Sequence, residues 1–264
     1  MKRIESRNNP TIKNVCLLSD RSERSRQGLF FFEGVHLLEE FIRSGKRPRA
    51  VFIREDASPS VFALAEGSGA EVYGVTESVY AKMSSERAPQ GVLTVVPFLD
   101  NVITLEDGLP EGCFSDTNSV ILDRLQDPGN VGTVVRTAAA LGANVILASC
   151  ADIYSPKTVR ATMGAMFHTG IFVTGDAAGT VKKLRASGIR VIAASVYGEN
   201  VALGKFEILK NDCFVIGNEG AGISEEILAE CDLSARIPMT GSAESLNAAS
   251  AAAMFLWEAR RNVL

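Results

Sequence analysis

Polar side chains that could carry out chemistry follow three apolar, strand-like segments of the chain. The segments cover residues 119–123, 213–217 and 234–237. A guanidinium can bind an anion or stabilise developing negative charge, a carboxylate can accept a proton, and side-chain amides can hold both in place. Residues that follow these segments and could take these roles are Asn130, Arg136, Glu219, Ser245 and Asn247.

The composition is a poor match for metal-dependent and serine hydrolases. His36 and His168 are the only histidines, and we interpret His168 as a packed or surface residue. The five cysteines are far apart and form no C-x-x-C pair, which argues against a zinc site and against a disulfide framework. The sequence also lacks G-x-G-x-x-G and G-x-x-x-x-G-K-[ST], which disfavours a dinucleotide-binding oxidoreductase and the common ATP or GTP loop. We therefore expect no metal.

Strand and helix patterns alternate from Ser119 onward, and these elements must position the candidate side chains. Apolar runs typical of buried parallel strands are followed by helical patterns rich in small residues. The alternation predicts an open, doubly wound α/β sheet. Strands are expected at 119–123, 145–149, 171–174, 190–195, 213–217 and 234–237, and helices near 131–141, 156–165, 179–187, 223–230 and 246–261.

The N-terminal part of the chain alternates in the same way. Strands are expected at 29–34, 50–53, 71–75 and 91–97, with helices at 35–43, 60–67 and 77–84. Glycine, proline and polar residues then dominate a stretch without a clear period. The pattern predicts a smaller α/β layer domain over residues 1–97, a linker or exposed loop over 98–118, and a second α/β domain over 119–264.

Positive charge is concentrated in the first domain. The net charge of the chain is −4, yet residues 1–54 contain 12 Lys or Arg against 6 Asp or Glu. Ile12, Val15 and Leu18 supply a helical apolar face, so the basic side chains of residues 2–27 would lie opposite. This distribution favours a surface that faces nucleic-acid phosphates, and a solvated basic face is the alternative. The candidate nucleic-acid-binding residues are Arg7, Lys13, Arg21, Arg24 and Arg26.

Three motifs in these segments resemble the SpoU/TrmH family of RNA ribose methyltransferases, in the SPOUT superfamily. They are N-x-G-x-x-x-R from Asn130 to Arg136, G-N-E-G-x-G from Gly217 to Gly222, and I-P-M from Ile237 with S-L-N further on. The resemblance implies a SPOUT α/β-knot domain whose C-terminal segment forms a deep trefoil knot, which general folding rules would not predict. It also implies that the N-terminal domain is similar to a ribosomal-protein fold that binds structured RNA.

The resemblance implies S-adenosylmethionine as cofactor, a ribose 2′-hydroxyl as methyl acceptor, and a homodimer formed through the C-terminal domain. Arg136 would orient the hydroxyl and stabilise negative charge, since arginine loses its proton only above a pH of about 12. Glu219 or an RNA phosphate would take the proton, Asn130 and Asn247 would hold these groups in register, and Ser245 would cap the last helix or bind substrate. The matched cofactor positions are Gly217, Ile237, Met239 and Leu246, and the expected dimer contacts are Phe255, Leu256 and Trp257.

Two alternatives bear on the function. A non-catalytic RNA-binding protein with a decayed site would have lost the motif residues, which are all present. A tRNA ribose methyltransferase is the other; a substantial N-terminal RNA-binding domain favours large-subunit (23S) rRNA instead. The sequence has no apolar run near the ~18 residues of a membrane span and no secretory signal pattern, so a cytoplasmic location is expected.

Overall fold

The computed structural model describes residues 1–106, 108–241 and 245–261. The chain forms two compact units, Met1–Leu99 with Asp152–Phe167, and Asp100–Ala151 with His168–Leu264. The first unit contains the predicted N-terminal domain. It also contains a segment that the sequence pattern had placed in the C-terminal domain.

The first unit is built on a mixed five-stranded sheet in the order β1-β4-β3-β5-β2. β1, β4 and β3 are parallel, whereas β5 runs antiparallel to both β3 and β2. Its elements up to residue 97 are β1 (Lys2–Ile4), α1 (Pro10–Leu17), α2 (Arg21–Gln27), β2 (Leu29–Glu33), α3 (Val35–Arg43), β3 (Ala50–Arg54), α4 (Pro59–Gly67), β4 (Glu71–Val75), α5 (Glu77–Met83) and β5 (Val92–Pro97).

Three consecutive phenylalanines in β2 explain why the later segment joins this unit. Successive side chains of a strand point to opposite faces. Phe31 packs in the core under α1 and α5. On the other face, the ring centroid of Phe30 lies 4.7 Å from that of Tyr154, and that of Phe32 lies 5.5 Å from that of Phe167. The segment Asp152–Phe167 therefore completes the second layer of the first unit.

The structure contradicts the predicted RNA contact of Arg24. Its side chain is buried, and its guanidinium donates to the carbonyl oxygens of Leu18 (2.7 Å) and Ser19 (2.8 Å) and to Asp152 Oδ2 (2.5 Å). The residue lies in α2, which begins separately from α1 because Asp20 accepts hydrogen bonds from the first backbone N–H groups of α2. This second helix turns Arg24 inward, so it ties α2 to Asp152 and is not available to RNA.

The second unit is built on an all-parallel eight-stranded sheet in the order β11-β13-β10-β12-β7-β8-β9-β6. The strands expected from residue 119 onward are present within about two residues of their predicted limits. The remaining elements, of which α7 and the 3₁₀ turn belong to the first unit, are β6 (Val102–Thr104), β7 (Ser119–Asp123), α6 (Pro128–Ala140), β8 (Asn144–Ala148), α7 (Pro156–Thr162), the turn Ala165–Phe167, β9 (Ile171–Thr174), α8 (Ala177–Ala186), β10 (Val191–Ala194), β11 (Val201–Ala202), β12 (Cys213–Ile216), α9 (Glu225–Leu228), β13 (Leu233–Arg236) and α10 (Ala248–Arg260).

Helices cover both faces of this sheet. The ring of Phe214 in β12 contacts that of Phe255 in α10, with centroids 5.5 Å apart. The next residue, Val215, instead packs in a cluster with Leu184 of α8 and Ile227 of α9. Both faces of the strand are therefore buried, which explains its uninterrupted apolar sequence.

The stretch predicted as a linker contains a strand. β6 pairs in parallel with β9 at the edge of the sheet, with Val102 opposite Ile171 and Ile103 opposite Phe172. The side-chain amide of Asn101 donates to Thr169 O (2.6 Å) beside this pairing. Three residues are too few for a periodic signal, so the sequence pattern missed the strand. Among the described residues, none of the helices combines the length and apolar character needed to cross a bilayer.

We expect Arg24→Ala to destabilise the protein by about 3–5 kcal/mol, because it leaves the partly buried Asp152 carboxylate without its partner. Chemical denaturation monitored by circular dichroism would measure the loss. Arg26→Ala is the matched control, since Arg26 lies on the same helix and forms only an exposed ion pair with Glu23. Equal effects of the two substitutions would contradict the assignment of Arg24 as an internal tie.

Candidate active site

Two of the polar loops follow neighbouring central strands. β7 and β12 are parallel partners, so the loops after Asp123 and after Ile216 leave the sheet at the same edge. From β7 the chain continues to β8 on one side, and from β12 it continues to β13 on the other. Such a switch point is where open α/β sheets bind ligands. The third loop follows β13 at the same edge.

A line of side-chain hydrogen bonds joins the three predicted motifs. Asn247 Nδ2 donates to Asn130 Oδ1 (3.0 Å), and Asn130 Nδ2 donates to Glu219 Oε1 (2.9 Å). Asn130 lies in the first turn of α6, where Asp127 Oδ1 accepts its backbone N–H (2.9 Å). The structure thus brings together the three residues that the sequence assigned to the site from separate motifs.

Asn247, and not Ser245, caps the last helix. Its Oδ1 accepts hydrogen bonds from the N–H groups of Ala249 (2.9 Å) and Ser250 (3.2 Å), while its amide donates to Asn130. The predicted capping role of Ser245 is therefore wrong. Ser245 is exposed, and its side chain has no hydrogen bond to any other described residue, so it remains available to a ligand.

The Glu219 carboxylate is held in its ionised form. Partial burial alone would raise the pKa of Glu219, but the hydrogen bond from Asn130 and backbone N–H groups around the loop outweigh it and lower that pKa below its ordinary 4.5. Oε1 accepts from Asn130, and Oε2 lies 3.5 Å from the backbone nitrogen of Gln126. Glu219 is therefore an anion at neutral pH that holds Asn130 in position.

The turn that carries Glu219 depends on glycine at position 217. A Cβ added to Gly217 would lie 2.2 Å from Gly222 C and 2.3 Å from Ile223 N, closer than real Cβ atoms approach backbone. Asn218 and Gly222 exchange two backbone hydrogen bonds of 3.0 Å, and Asn218 Oδ1 accepts from the N–H of Gly220 (3.0 Å). The sequence interpretation explained Gly217 by cofactor approach, whereas in the structure its hydrogen faces its own turn.

Asp123 and Arg124 belong to the site but were missed by sequence reasoning. The buried Asp123 carboxylate accepts from Arg124 Nε (3.0 Å) and Nη2 (3.1 Å) and from the Ser224 N–H (2.9 Å). Arg124 Nη2 also donates to Gly222 O (3.3 Å). The sequence signal for these two residues is a charged pair at the end of an apolar strand, where a buried charge is costly unless it is paired.

Arg136 stands apart from this network. It is exposed on α6, and in the part of the chain that the structure describes its guanidinium has no hydrogen-bond or ion-pair partner. Its side chain is therefore free to bind an incoming anionic or hydroxyl group. The structure does not join it to Asn130, Glu219 or Asn247.

The residues matched to a cofactor offer suitable backbone groups. Ile237 and Met239 follow β13. Their backbone N–H and C=O groups form no hydrogen bonds with the backbone of other described residues. Free amides and carbonyls can pair with the edge of an adenine ring, and Met239 and Leu246, each 36% exposed, can cover its faces. These positions fit an adenosine-containing ligand. Residues 242–244 of the same loop lie outside the described residues.

The other predicted surfaces are only partly available. Arg7, Lys13 and Arg21 are exposed, whereas Arg26 pairs with Glu23 at 2.7 Å. Of the three expected dimer contacts, only Trp257 is exposed (54%). Phe255 and Leu256 are buried within this chain, so their prediction as contacts is wrong; the exposed neighbour on α10 is Met254. Among the described residues, no cluster of His, Cys, Asp and Glu could hold a metal ion.

The fold and the site define a class that comparison with known families identifies. Residues 117–257 match the SpoU rRNA Methylase family, and residues 9–94 match the MRM3-like substrate binding domain. The chain therefore belongs to the SpoU rRNA methylase family. The predictions of this family and of a mixed α/β fold with an N-terminal substrate-binding domain are confirmed.

Individual relatives match over nearly the whole chain. A 23S rRNA (guanosine(2553)-2′-O)-methyltransferase of Bacillus subtilis is 31% identical, over 98% of this chain and 100% of the relative. A 23S rRNA (uridine(2479)-2′-O)-methyltransferase of Streptomyces viridochromogenes is also 31% identical, over 98% and 92%. The crystal structure of an AdoMet-bound rRNA methyltransferase from Sinorhizobium meliloti matches with a TM-score of 0.84 and 32% identity, covering 100% of this chain and 98% of that one.

We expect Asn130→Ala to raise the pKa of Glu219, because it removes a donor that favours the carboxylate. Carbon-13 NMR titration of the Glu219 carboxyl, assigned with Glu219→Gln, would measure the shift. In the wild type the depressed pKa stabilises the fold above about pH 4.5, and this contribution is lost as the pH falls through the lowered value. Asn200→Ala, in an exposed loop, is the control. An unchanged pKa in Asn130→Ala would refute the network.

We expect Gly217→Ala to destabilise the fold by about 1–3 kcal/mol, because the added methyl group must displace the backbone of residues 222–223. Thermal unfolding would measure this. Gly220→Ala in the same turn is the control, since the nearest atom to its added Cβ, Asn218 Oδ1, lies 3.8 Å away. If Gly217→Ala were as stable as Gly220→Ala, the close packing described for the turn would be incorrect.

Proposed function

We propose that this protein transfers a methyl group from S-adenosylmethionine to a ribose 2′-hydroxyl of large-subunit (23S) rRNA. The observation that carries the proposal is the hydrogen-bonded line from Asn247 through Asn130 to Glu219, which unites the three motif loops at the switch point of the sheet. Family membership and two relatives named as 23S rRNA 2′-O-methyltransferases support it.

Different residues of the chain serve cofactor binding, charge stabilisation and proton transfer. S-adenosylmethionine supplies an activated methyl group when it is bound, and the backbone of Ile237 and Met239 would hold its adenosine. Arg136 binds the ribose oxygen and stabilises the negative charge that develops on it, through the N–H donors of its guanidinium. The Glu219 carboxylate keeps Asn130 oriented. Glu219 also takes up the hydroxyl proton, and removal of that proton is what places negative charge on the oxygen that Arg136 stabilises.

The first unit supports rRNA over tRNA as the substrate. Residues 9–94 match a substrate-binding domain, and both 23S rRNA relatives match this chain across that region and across the second unit. The exposed side chains of Arg7, Lys13 and Arg21 can contact the RNA backbone. These two equally similar relatives are named for a guanosine and a uridine. The proposal is accordingly specific for the ribose, which every nucleotide of the RNA carries.

We extend the proposal to assembly and location. Met254 and Trp257 place exposed apolar area on α10, which packs against α6, the helix that bears Arg136. A homodimer through α10 would cover that area. A trefoil knot formed by the C-terminal segment and a cytoplasmic location complete the proposed picture of a SPOUT enzyme acting on rRNA.

Mapping ribose-methylated nucleotides in total RNA from cells with and without this protein tests the substrate. We expect one 23S rRNA position to lose its 2′-O-methyl group, with tRNA methylation unchanged, because the two relatives that match this chain across its N-terminal domain are named as 23S rRNA methyltransferases. Restoring the wild-type protein should restore the methyl group. Loss confined to tRNA would instead establish the alternative substrate, and an unchanged map would contradict the activity.

We expect Arg136→Lys to lower kcat about 10- to 100-fold, because a single ammonium cannot reproduce the guanidinium geometry at the oxygen. Binding of S-adenosylmethionine, measured by calorimetry, should stay within about threefold, since Arg136 is not among the residues matched to the cofactor. Arg185→Lys near the end of α8 is the control. Near-normal turnover of Arg136→Lys would eliminate a specific guanidinium role.

A further inference from the structure

Arg124 has an unusual backbone conformation at the carboxyl end of β7. Its φ is +58°, in the left-handed region that residues with a Cβ rarely adopt. Such a conformation persists where surrounding contacts fix it. Here the Arg124 N–H donates to Ala148 O (2.8 Å), and its carbonyl accepts from Asn218 Nδ2 (2.8 Å) and from Gln126 Nε2 (3.1 Å). The strained residue is therefore held by both neighbouring loops.

The Arg124 side chain is also fixed by hydrogen bonds at the carboxyl end of β7. Its guanidinium forms two hydrogen bonds with Asp123, whose carboxylate is almost fully buried, and Nη2 also donates to Gly222 O. Asp123 is fixed in turn by the backbone N–H of Ser224 (2.9 Å). The charge of Arg124 is thus neutralised within the chain, and its donors point toward the turn that carries Glu219.

One residue consequently holds both ends of that turn. The carbonyl of Arg124 binds Asn218 at its start, and the guanidinium binds Gly222 at its end; Glu219 lies between them. We propose that Arg124 is a positioning residue for methyl transfer, which fixes the Asn218–Gly222 turn so that the Glu219 carboxylate meets Asn130. This inference rests on the proposed function, because it concerns the same site.

The chain contains a second arginine–aspartate ion pair, at the amino ends of the parallel strands. Arg190 donates to Asp212 through Nε (3.0 Å) and Nη2 (2.5 Å) and also to Glu207 O (2.6 Å), and Asp212 is fully buried. Both residues directly precede parallel strands, β10 and β12, so they lie at the amino ends and away from the motif loops. Arg190 and Asp212 form the same type of ion pair at a distance from the Asn218–Gly222 turn. A substitution of Arg190 is therefore a control for purely structural effects.

The test compares Arg124→Gly with Arg190→Ala. Glycine suits the left-handed φ and keeps the carbonyl that binds Asn218, so Arg124→Gly removes the guanidinium alone. With 23S rRNA from cells lacking the protein, we expect its kcat to fall about 10- to 100-fold, as for a displaced catalytic group. The Kd for S-adenosylmethionine should stay within about threefold, because Ile237 and Met239, whose backbone would hold the adenosine, follow β13 and not the Asn218–Gly222 turn. Arg190→Ala should lower the melting temperature without lowering kcat.

Three further measurements separate a positioning role from a general loss of structure. NMR titration should show that Arg124→Gly raises the pKa of Glu219, as Asn130→Ala does, while Arg190→Ala leaves it unchanged. The double variant Arg124→Gly/Asn130→Ala should lose no more activity than the more impaired single variant, because both changes act on one contact. Arg124→Lys should recover part of the activity, since one ammonium can reach either Asp123 or Gly222 O.

The inference is overturned if Arg124→Gly leaves kcat and the pKa of Glu219 unchanged, or if Arg190→Ala reproduces its kinetic effect. Failure of the proposed function has a different signature, namely a wild-type protein that transfers no methyl group to rRNA. In that case the NMR comparison still decides whether Arg124 places Glu219: a pKa of Glu219 that is raised in Arg124→Gly but not in Arg190→Ala supports the positioning role, and a wild-type pKa in Arg124→Gly, or an equal rise in Arg190→Ala, rejects it.

Discussion

The hydrogen bond between Asn130 and Glu219 is the contact on which the rest of the site depends. It joins the segment after β7 to the loop after β12. The side-chain amide of Asn130 also accepts a hydrogen bond from Asn247, at the start of α10. Three segments far apart in the sequence meet here because parallel strands end at one edge. Each group also has a second anchor: Asn130 through Asp127, Asn247 through its helix, and Glu219 through its turn. Such double anchoring fixes side chains at a distance set by the backbone.

Much of the second unit could be predicted from sequence, because each central strand is buried on both faces and therefore reads as an apolar run. The grouping of Asn130, Glu219 and Asn247 was also predictable, since all three follow such runs or open a helix. Arg124 was harder to find. Its function depends on a left-handed φ and on a carbonyl 98 positions later, at Gly222, and neither property has a local sequence signal.

In the first unit, the hydrophobic periodicity of the sequence did not predict which residues cover the side chains of Arg24, Phe30 and Phe32. Helical periodicity placed Arg24 on an exposed basic face that would bind RNA, but the first helix ends before Asp20 and a new helix turns that side chain toward Asp152. Phe30, Phe31 and Phe32 read as one apolar strand, and their alternation could not reveal that Tyr154 and Phe167 would cover one side. Both errors have one cause: the covering residues lie more than a hundred positions away, beyond any local pattern.

The membership of Asp152–Phe167 in the first unit has a consequence for how this protein can be divided. A fragment ending at Leu99 would include every strand of the first sheet and would nevertheless expose Phe30 and Phe32. It would also leave Arg24 without Asp152. The first unit is thus discontinuous in the sequence, and an isolated fragment must also carry residues 152–167 to keep this face of its sheet covered.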